Sequence, residues 1–294
     1  MTMTLQVQLE DLRRPEWRPL YVGDRARYAT ATAVRFLDPC TIVCCSLLAH
    51  KIYLIRFDLA RGSHEVLGCS ETTHAGSPVE TDLCDADASG LIVTSNCDGG
   101  SMSLYRRIGD EVRHERDLAT GLAGNYCHGA RFCGPDVVAA TALRAPRGVH
   151  FFDLSTMRKL LYIETAGLAK DVCFLPGDRA AIVTTDGAPS AERSSDRHAS
   201  EILLVELDIG RGKHRLLNRQ SYDAGQLDSV AAYGDRLFAV DSPGGRVLVV
   251  DARTLRQVDQ VDGYDFPHGV DVNHGLMAVA CYGTNAVHVR SLPA

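Results

Sequence analysis

Six stretches of this chain carry one pattern, and repetition at a steady period narrows the possible folds more than any other feature of a sequence. In each, a polar lead-in precedes an apolar strand, a tight turn, a second apolar strand, another turn and a third strand. The sixth is the clearest, FPHGVDVNHGLMAVACYGTNAVHV from Phe266. The others begin near Thr32 (TAVRFLDPCTIVCCSL), Glu80 (ETDLCDADASGLIVTSNCDGGSMSLY), Cys127 (CHGARFCGPDVVAATAL), Ala169 (AKDVCFLPGDRAAIVTT) and Leu227 (LDSVAAYGDRLFAV). With first strands anchored at Val34, Leu83, Ala130, Val172, Val230 and Val270, the intervals are 49, 47, 42, 58 and 40 residues. That is the length of a four-stranded propeller blade, and too long for helical repeats of about 33 or 34 residues. The expected fold is all-β, a six-bladed β-propeller in one domain, with blades near 28–73, 76–121, 124–167, 168–225, 226–265 and 266–294, the last completed by 17–25.

Two details follow from the repeat. An aspartate recurs after the third strand, at Asp58, Asp153, Asp208 and Asp251. Its side chain can accept from backbone N–H groups two residues on, which makes it a turn residue and not a catalytic one. The sixth unit has only 24 residues after Val270, enough for three strands. An unpaired sheet edge is prone to aggregation, so the N-terminal part of the chain is expected to supply the fourth strand. Residues 18–22 (RPLYV) stand at the right distance before Val34 and are predicted to pair with 287–290. The alternating run 4–9 (TLQVQL) either extends that edge or forms an arm.

Composition excludes several classes. A net charge of −6 offers no basic face for nucleic acid. No apolar run approaches the roughly 20 residues of a membrane-spanning helix, and the first residues lack a leader pattern, so a cytoplasmic location is expected. The ten cysteines are then expected to be free. Cys44, Cys45, Cys173 and Cys281 lie in apolar strands as small hydrophobes, and no CxxC pair points to structural zinc.

The runs SNCDGGSMSLYR and PHGVDVNHGLMAVACYGTNAVHV resemble the repeat of YVTN-type propellers, which include the lactonase-like group around 6-phosphogluconolactonase. The resemblance spans the chain in period and blades two and six in motif. It implies the propeller fold, with functions that range from sugar lactonase to interaction scaffold. The chain departs from the lactonases in having six repeats instead of seven. The glutamate-led calcium site of six-bladed gluconolactonases is absent, as are the tryptophan–aspartate and kelch signatures.

In a propeller the first strands line the channel and converge at one mouth. Two residues before the anchors stand Thr32, Thr81, His128, Lys170, Asp228 and His268; one residue before stand Ala33, Asp82, Gly129, Asp171, Ser229 and Gly269. Convergent polar groups in a concave place mark a binding site. Three readings follow. His128 and His268, with Asp228 or Glu80, hold a divalent ion such as zinc or manganese. Alternatively the histidines act as acid and base while Lys170 holds an anionic substrate. In the third, the same groups line a hydrated channel and bond to neighbouring blades. The first two describe a small-molecule site, a metal-assisted hydrolase or lyase acting on a lactone-like anion; the alternative is a non-enzymatic scaffold for a protein partner.

Arg144 and Arg147 belong to the mouth loop of blade three and, with Lys170 and Arg193, form a basic rim suited to a carboxylate or phosphate, or else are scattered solvated arginines. Tyr126 either stacks on a ligand or packs between blades. Trp17, the only tryptophan, falls beside the expected closing strand. Residues 186–200 account for the longest interval and are read as a mouth loop, either a lid or docking element or a tolerated insertion. No GxSxG turn, phosphate loop or dinucleotide fingerprint is present.

Overall fold

Six antiparallel sheets of four strands, arranged as a β-propeller, make up the computed structural model, which describes residues 4–8, 31–97, 99–185 and 200–292. Blade 1 runs from Ala31–Asp38 at the channel to Ser63–Glu71 at the rim, and blade 2 from Cys84–Ala86 to Glu111–Leu118. Blades 3, 4 and 5 begin at Cys127–Phe132, Leu168–Leu175 and Leu227–Tyr233, and end at Lys159–Glu164, Lys213–Tyr222 and Gln257–Asp262. The only helical element among the described residues is a 3₁₀ turn at Ile209–Arg211.

The apolar runs of the inner strands have a direct cause. Each blade is covered on both faces by its neighbours, so alternation gives way to continuous burial, as in Thr41–Ser46 and Ala31–Asp38. Outer strands such as Lys213–Tyr222 are almost wholly exposed and polar. The apolar core divides into six clusters, and each is shared by two consecutive blades. The cluster of Leu5, Val7, Val34, Ile42, Ala278 and Val287 joins the last blade to the first.

That cluster exposes a difference from the expected closure. The fourth strand of blade 6 is Thr4–Gln8, which pairs antiparallel with Ala286–Ser291 from Thr4 opposite Arg290 to Gln8 opposite Ala286. The other edge of Ala286–Ser291 is taken by Leu276–Cys281, so no edge remains for 18–22, which lies outside the described residues along with Trp17. The alternation of TLQVQ fits this place: Leu5 and Val7 turn into the core while Thr4 and Gln6 face outward.

The recurrent aspartates are turn residues, as expected. Asp153 and Asp251 accept backbone N–H groups both two and three residues on, and Asp58 and Asp208 accept the N–H three residues on.

Polar bonds also close the ring, about 10 Å down the inner strands from the mouth at 3.3 Å per residue. Arg35 reaches the Val270 carbonyl at 2.5 Å and Asp85 at 3.2 Å. Asp85 accepts the Phe132 N–H at 2.9 Å. Arg131 binds Asp171 and the carbonyls of Cys84 and Val172. Asp171 accepts the Val230 N–H at 3.0 Å and the Ser229 hydroxyl at 2.9 Å, and Ser229 in turn accepts from Val270. Asp271 accepts the Phe36 N–H at 2.7 Å. Every boundary between blades is thus crossed by at least one polar bond, and the buried guanidinium groups of Arg35 and Arg131 are paired with Asp85 and Asp171, as burial requires.

Candidate functional site: the mouth of the channel

Five of the six innermost strands begin with a break in the ladder. The register skips at Thr32, at His128–Gly129, at Lys170, at Asp228–Ser229 and at His268. Such bulges re-aim a side chain and leave its backbone carbonyl out of its own ladder. The side chains so turned are the polar ring of the mouth. The freed carbonyls serve the neighbouring blade: Thr32 accepts from His268 Nδ1 at 3.0 Å, and Lys170 accepts from His128 Nδ1 at 2.8 Å. The His128 carbonyl accepts the Leu83 N–H at 3.1 Å and the Ser95 hydroxyl at 2.9 Å.

The glycines after the histidines make this approach possible. A Cβ on Gly269 would stand 2.8 Å from Ala33 Cα and closer still to the Thr32 carbonyl oxygen. On Gly129 it would meet Thr141 Oγ1 at 2.9 Å and the Lys170 oxygen at 3.1 Å.

Because a carbonyl only accepts, both histidines carry a proton on Nδ1, and each ring turns its Nε2 toward the Asp82 carboxylate. Blades 3 and 6 face each other across the channel axis, and the two rings lie 5.1 Å apart between centroids. Asp82, from blade 2, places its oxygens 3.9 Å from His128 Nε2 and 3.8 Å from His268 Nε2. Its carboxylate also accepts the hydroxyls of Tyr126 at 2.7 Å and Tyr282 at 3.1 Å. Asp228 lies 3.6 Å from His128 Nε2 and 3.1 Å from Lys170 Nζ, and accepts from Gln226 at 2.6 Å and Ser242 at 2.5 Å. Asp82 and His128 are 2% exposed, His268 3% and Asp228 0%, so these charges act on one another with little screening by water.

The electrostatics follow from that crowding. Burial alone would raise the Asp82 carboxyl, but the positive charge of His128 and His268 when protonated, with the Tyr126 hydrogen bond, brings it below its ordinary value. Asp228 is held well below, against the same burial, chiefly by Lys170. Burial lowers His268 despite the two aspartates, which favours its neutral form. Burial and then the Asp82 charge push Tyr126 and Tyr282 well above the ordinary tyrosine range, so both stay protonated donors, and the same two effects raise the nearby Cys97 thiol.

The structure brings His128, His268, Asp228, Lys170 and Tyr126 into one linked cluster with Asp82. The ring residue of blade 2 is Asp82, one position later than the expected Thr81. The residue of blade 2 in the anchor's register is Cys84, paired with Thr94, and not its apolar neighbour Leu83. The N–H three residues after that partner makes the same bond in several blades: Cys97 to the Glu80 carbonyl, Leu143 to Tyr126, Ser242 to Gln226 and Tyr282 to Phe266. Counting two on from those acceptors gives Asp82, His128, Asp228 and His268 as equivalents. Tyr282 and Ser242, which the sequence reading passed over, occupy the position directly after their second strands and reach Asp82 and Asp228 from there. Glu80 is half-buried and lies outside the three-donor group of Asp82, His128 and His268. Lys170 is engaged by Asp228. Arg144 and Arg147 are exposed on a loop that Asn125 and Gly124 hold in place through bonds to Arg144. Residues 186–199, including Arg193, lie outside the described residues.

No protein-family model and no curated protein sequence matches the chain. Solved structures do. Kuenenia stuttgartiensis hydrazine synthase aligns with a TM-score of 0.61 at 13% identity, over 92% of this chain and 97% of that one. The Cps50 (Swd1) β-propeller domain of Myceliophteria thermophila aligns with a TM-score of 0.56 at 11% identity, over 86% and 80%. Saccharomyces cerevisiae Sqt1 aligns with a TM-score of 0.51 at 10% identity over 82% of this chain, which spans 65% of the Sqt1 chain. At such identities the likeness is one of fold, and the shared architecture is the β-propeller.

Proposed function

We propose that this chain is a non-enzymatic interaction propeller that takes a protein partner on its channel-mouth face. The observation that carries this reading is the state of the mouth's titratable groups: both histidines, both aspartates and Lys170 are buried and engaged with other residues of the chain. Groups so engaged brace the blades against each other, and what the face offers outward is the rim. Arg144 and Arg147, on a loop pinned by Asn125, are preorganised for an acidic surface on a partner, which lowers the cost of ordering them on binding.

The test is cross-linking mass spectrometry on the tagged chain in cells of its source. Expected are links from the 143–147 loop to one partner that persist in His128→Ala/His268→Ala and vanish in Arg144→Glu/Arg147→Glu. Links unaffected by the arginine reversal would overturn the reading.

A second reading, hydrolysis or lyase chemistry on a lactone-like anion, draws on one observation: the Nε2 atoms and the Asp82 carboxylate converge on a common point. Assay of the purified chain against sugar lactones separates the two. Turnover abolished by His128→Ala and His268→Ala favours the enzyme, and its absence with and without added zinc favours the scaffold.

A further inference from the structure

We infer that Asp82, His128 and His268 form a binding site for one divalent transition-metal ion, which clasps blades 2, 3 and 6 across the mouth of the channel. One donor atom from each residue lies within 4.8 Å of the other two. The aspartate–imidazole separations of 3.8 and 3.9 Å are too long for hydrogen bonds. They suit two ligands of one ion, since donors about 2.1 Å from a metal stand at most about 4.2 Å apart.

The surroundings are those of ligands already oriented. Metal-binding histidines characteristically donate their other N–H to a carbonyl or carboxylate, and a ligating carboxylate is itself hydrogen-bonded. Here both Nδ1–H groups are fastened to backbone carbonyls, of Lys170 and Thr32, and Asp82 is steadied by two tyrosine hydroxyls. The bulges that turn His128 and His268 inward and the glycines behind them fix the Nε2 atoms toward Asp82.

Charge gives an independent reason. The two polar layers of the channel contain five carboxylates, Asp82, Asp85, Asp171, Asp228 and Asp271, against three cations, Arg35, Arg131 and Lys170. Acids outnumber bases in this buried place, and a divalent cation has the sign that answers them. The donor set of two imidazoles and one carboxylate selects zinc, or manganese, iron, cobalt and nickel, over calcium and magnesium, which prefer all-oxygen sites. Asp228 is not a ligand in this scheme, because Lys170, Gln226 and Ser242 already hold it. The site does not depend on whether the face docks a partner or turns over a substrate.

The experiment uses the full chain, stripped with a chelator, dialysed against zinc and analysed for metal by mass spectrometry, with thermal melting alongside. Expected are one equivalent of zinc per chain and a melting midpoint that climbs with zinc concentration. Asp82→Asn and His268→Gln should each weaken zinc binding by roughly 100-fold or more, while Asp228→Asn keeps one equivalent. Should a variant fail to fold, cobalt titration of the wild-type chain decides: d–d absorption saturating at one equivalent and displaced by zinc supports the site. A wild-type chain that binds neither zinc nor cobalt stoichiometrically overturns it, as does full zinc retention in the Asp82 and His268 variants.

Discussion

His128 Nδ1 stands 2.8 Å from the carbonyl oxygen of Lys170, the bulged residue of the next blade, and His268 makes the same bond to Thr32 at 3.0 Å across the seam where the ring closes. Both are buried tethers between inner strands. His128→Ala and His268→Ala should each lower the unfolding free energy by about 1–3 kcal/mol, the cost of leaving a buried acceptor short of its donor. Urea denaturation monitored by circular dichroism measures this, and two variants as stable as the parent chain would contradict the tether.

Gly269 and Gly129 differ in what a methyl group would strike. At Gly269 the obstacle is the backbone of Thr32 and Ala33, which cannot swing aside; at Gly129 the nearest atom is the side-chain hydroxyl of Thr141. Gly269→Ala should therefore cost about 3 kcal/mol or more, and Gly129→Ala about 1–2 kcal/mol. The ordering is the testable part, and a reversed order of unfolding midpoints would refute it.

Burial raises the Asp171 carboxyl to about 6 although Arg131 and Arg35 face it and Ser229 and the Val230 N–H bond to it. The folded chain thus keeps a proton that the unfolded chain has released between about pH 4 and pH 6, so this group's contribution to stability falls as pH rises through that window and is level above it. The stability advantage of the parent chain over Asp171→Asn should shrink by on the order of 2 kcal/mol from pH 4 to pH 6.5. Denaturation at a series of pH values reads this directly; an advantage that widens with pH would show that the sign is wrong.

Val7 is fully buried in the cluster that joins blades 6 and 1. Val7→Ala should cost about 2 kcal/mol, and Val7→Asp, which buries a carboxylate without a partner, considerably more. Amide exchange at Val287 and Val289, opposite Val7 and Leu5, should quicken in Val7→Asp, whereas unchanged protection would mean that Thr4–Gln8 does not close the ring.

The repeat, its period and the turn aspartates were legible in the amino-acid order because they rest on local rules: apolar runs where both faces are covered, and side chains that bond two or three residues away. His128, Lys170, Asp228 and His268 could be grouped by counting, since their blades share an anchor register. Counting failed at blade 2. The anchor there is Cys84 and not Leu83, so Asp82, not Thr81, stands with the histidines; Leu83 and Cys84 are both apolar, and no local signal in ETDLCDAD chooses between them.

What the linear order could not decide is which chain segment completes blade 6, and which atoms meet on the axis. Two segments had a strand-like pattern before Val34, and only the packing of Leu5 and Val7 against Val34, Ile42 and Val287 selects Thr4–Gln8. The tautomers of His128 and His268, the two tyrosines on Asp82 and the engagement of Lys170 by Asp228 arise from contacts between residues 42 to 236 positions apart. Strand formation is set by neighbours in the chain, but the charge and hydrogen bonding of a buried group are set by whatever the closed ring brings within a few ångströms of it.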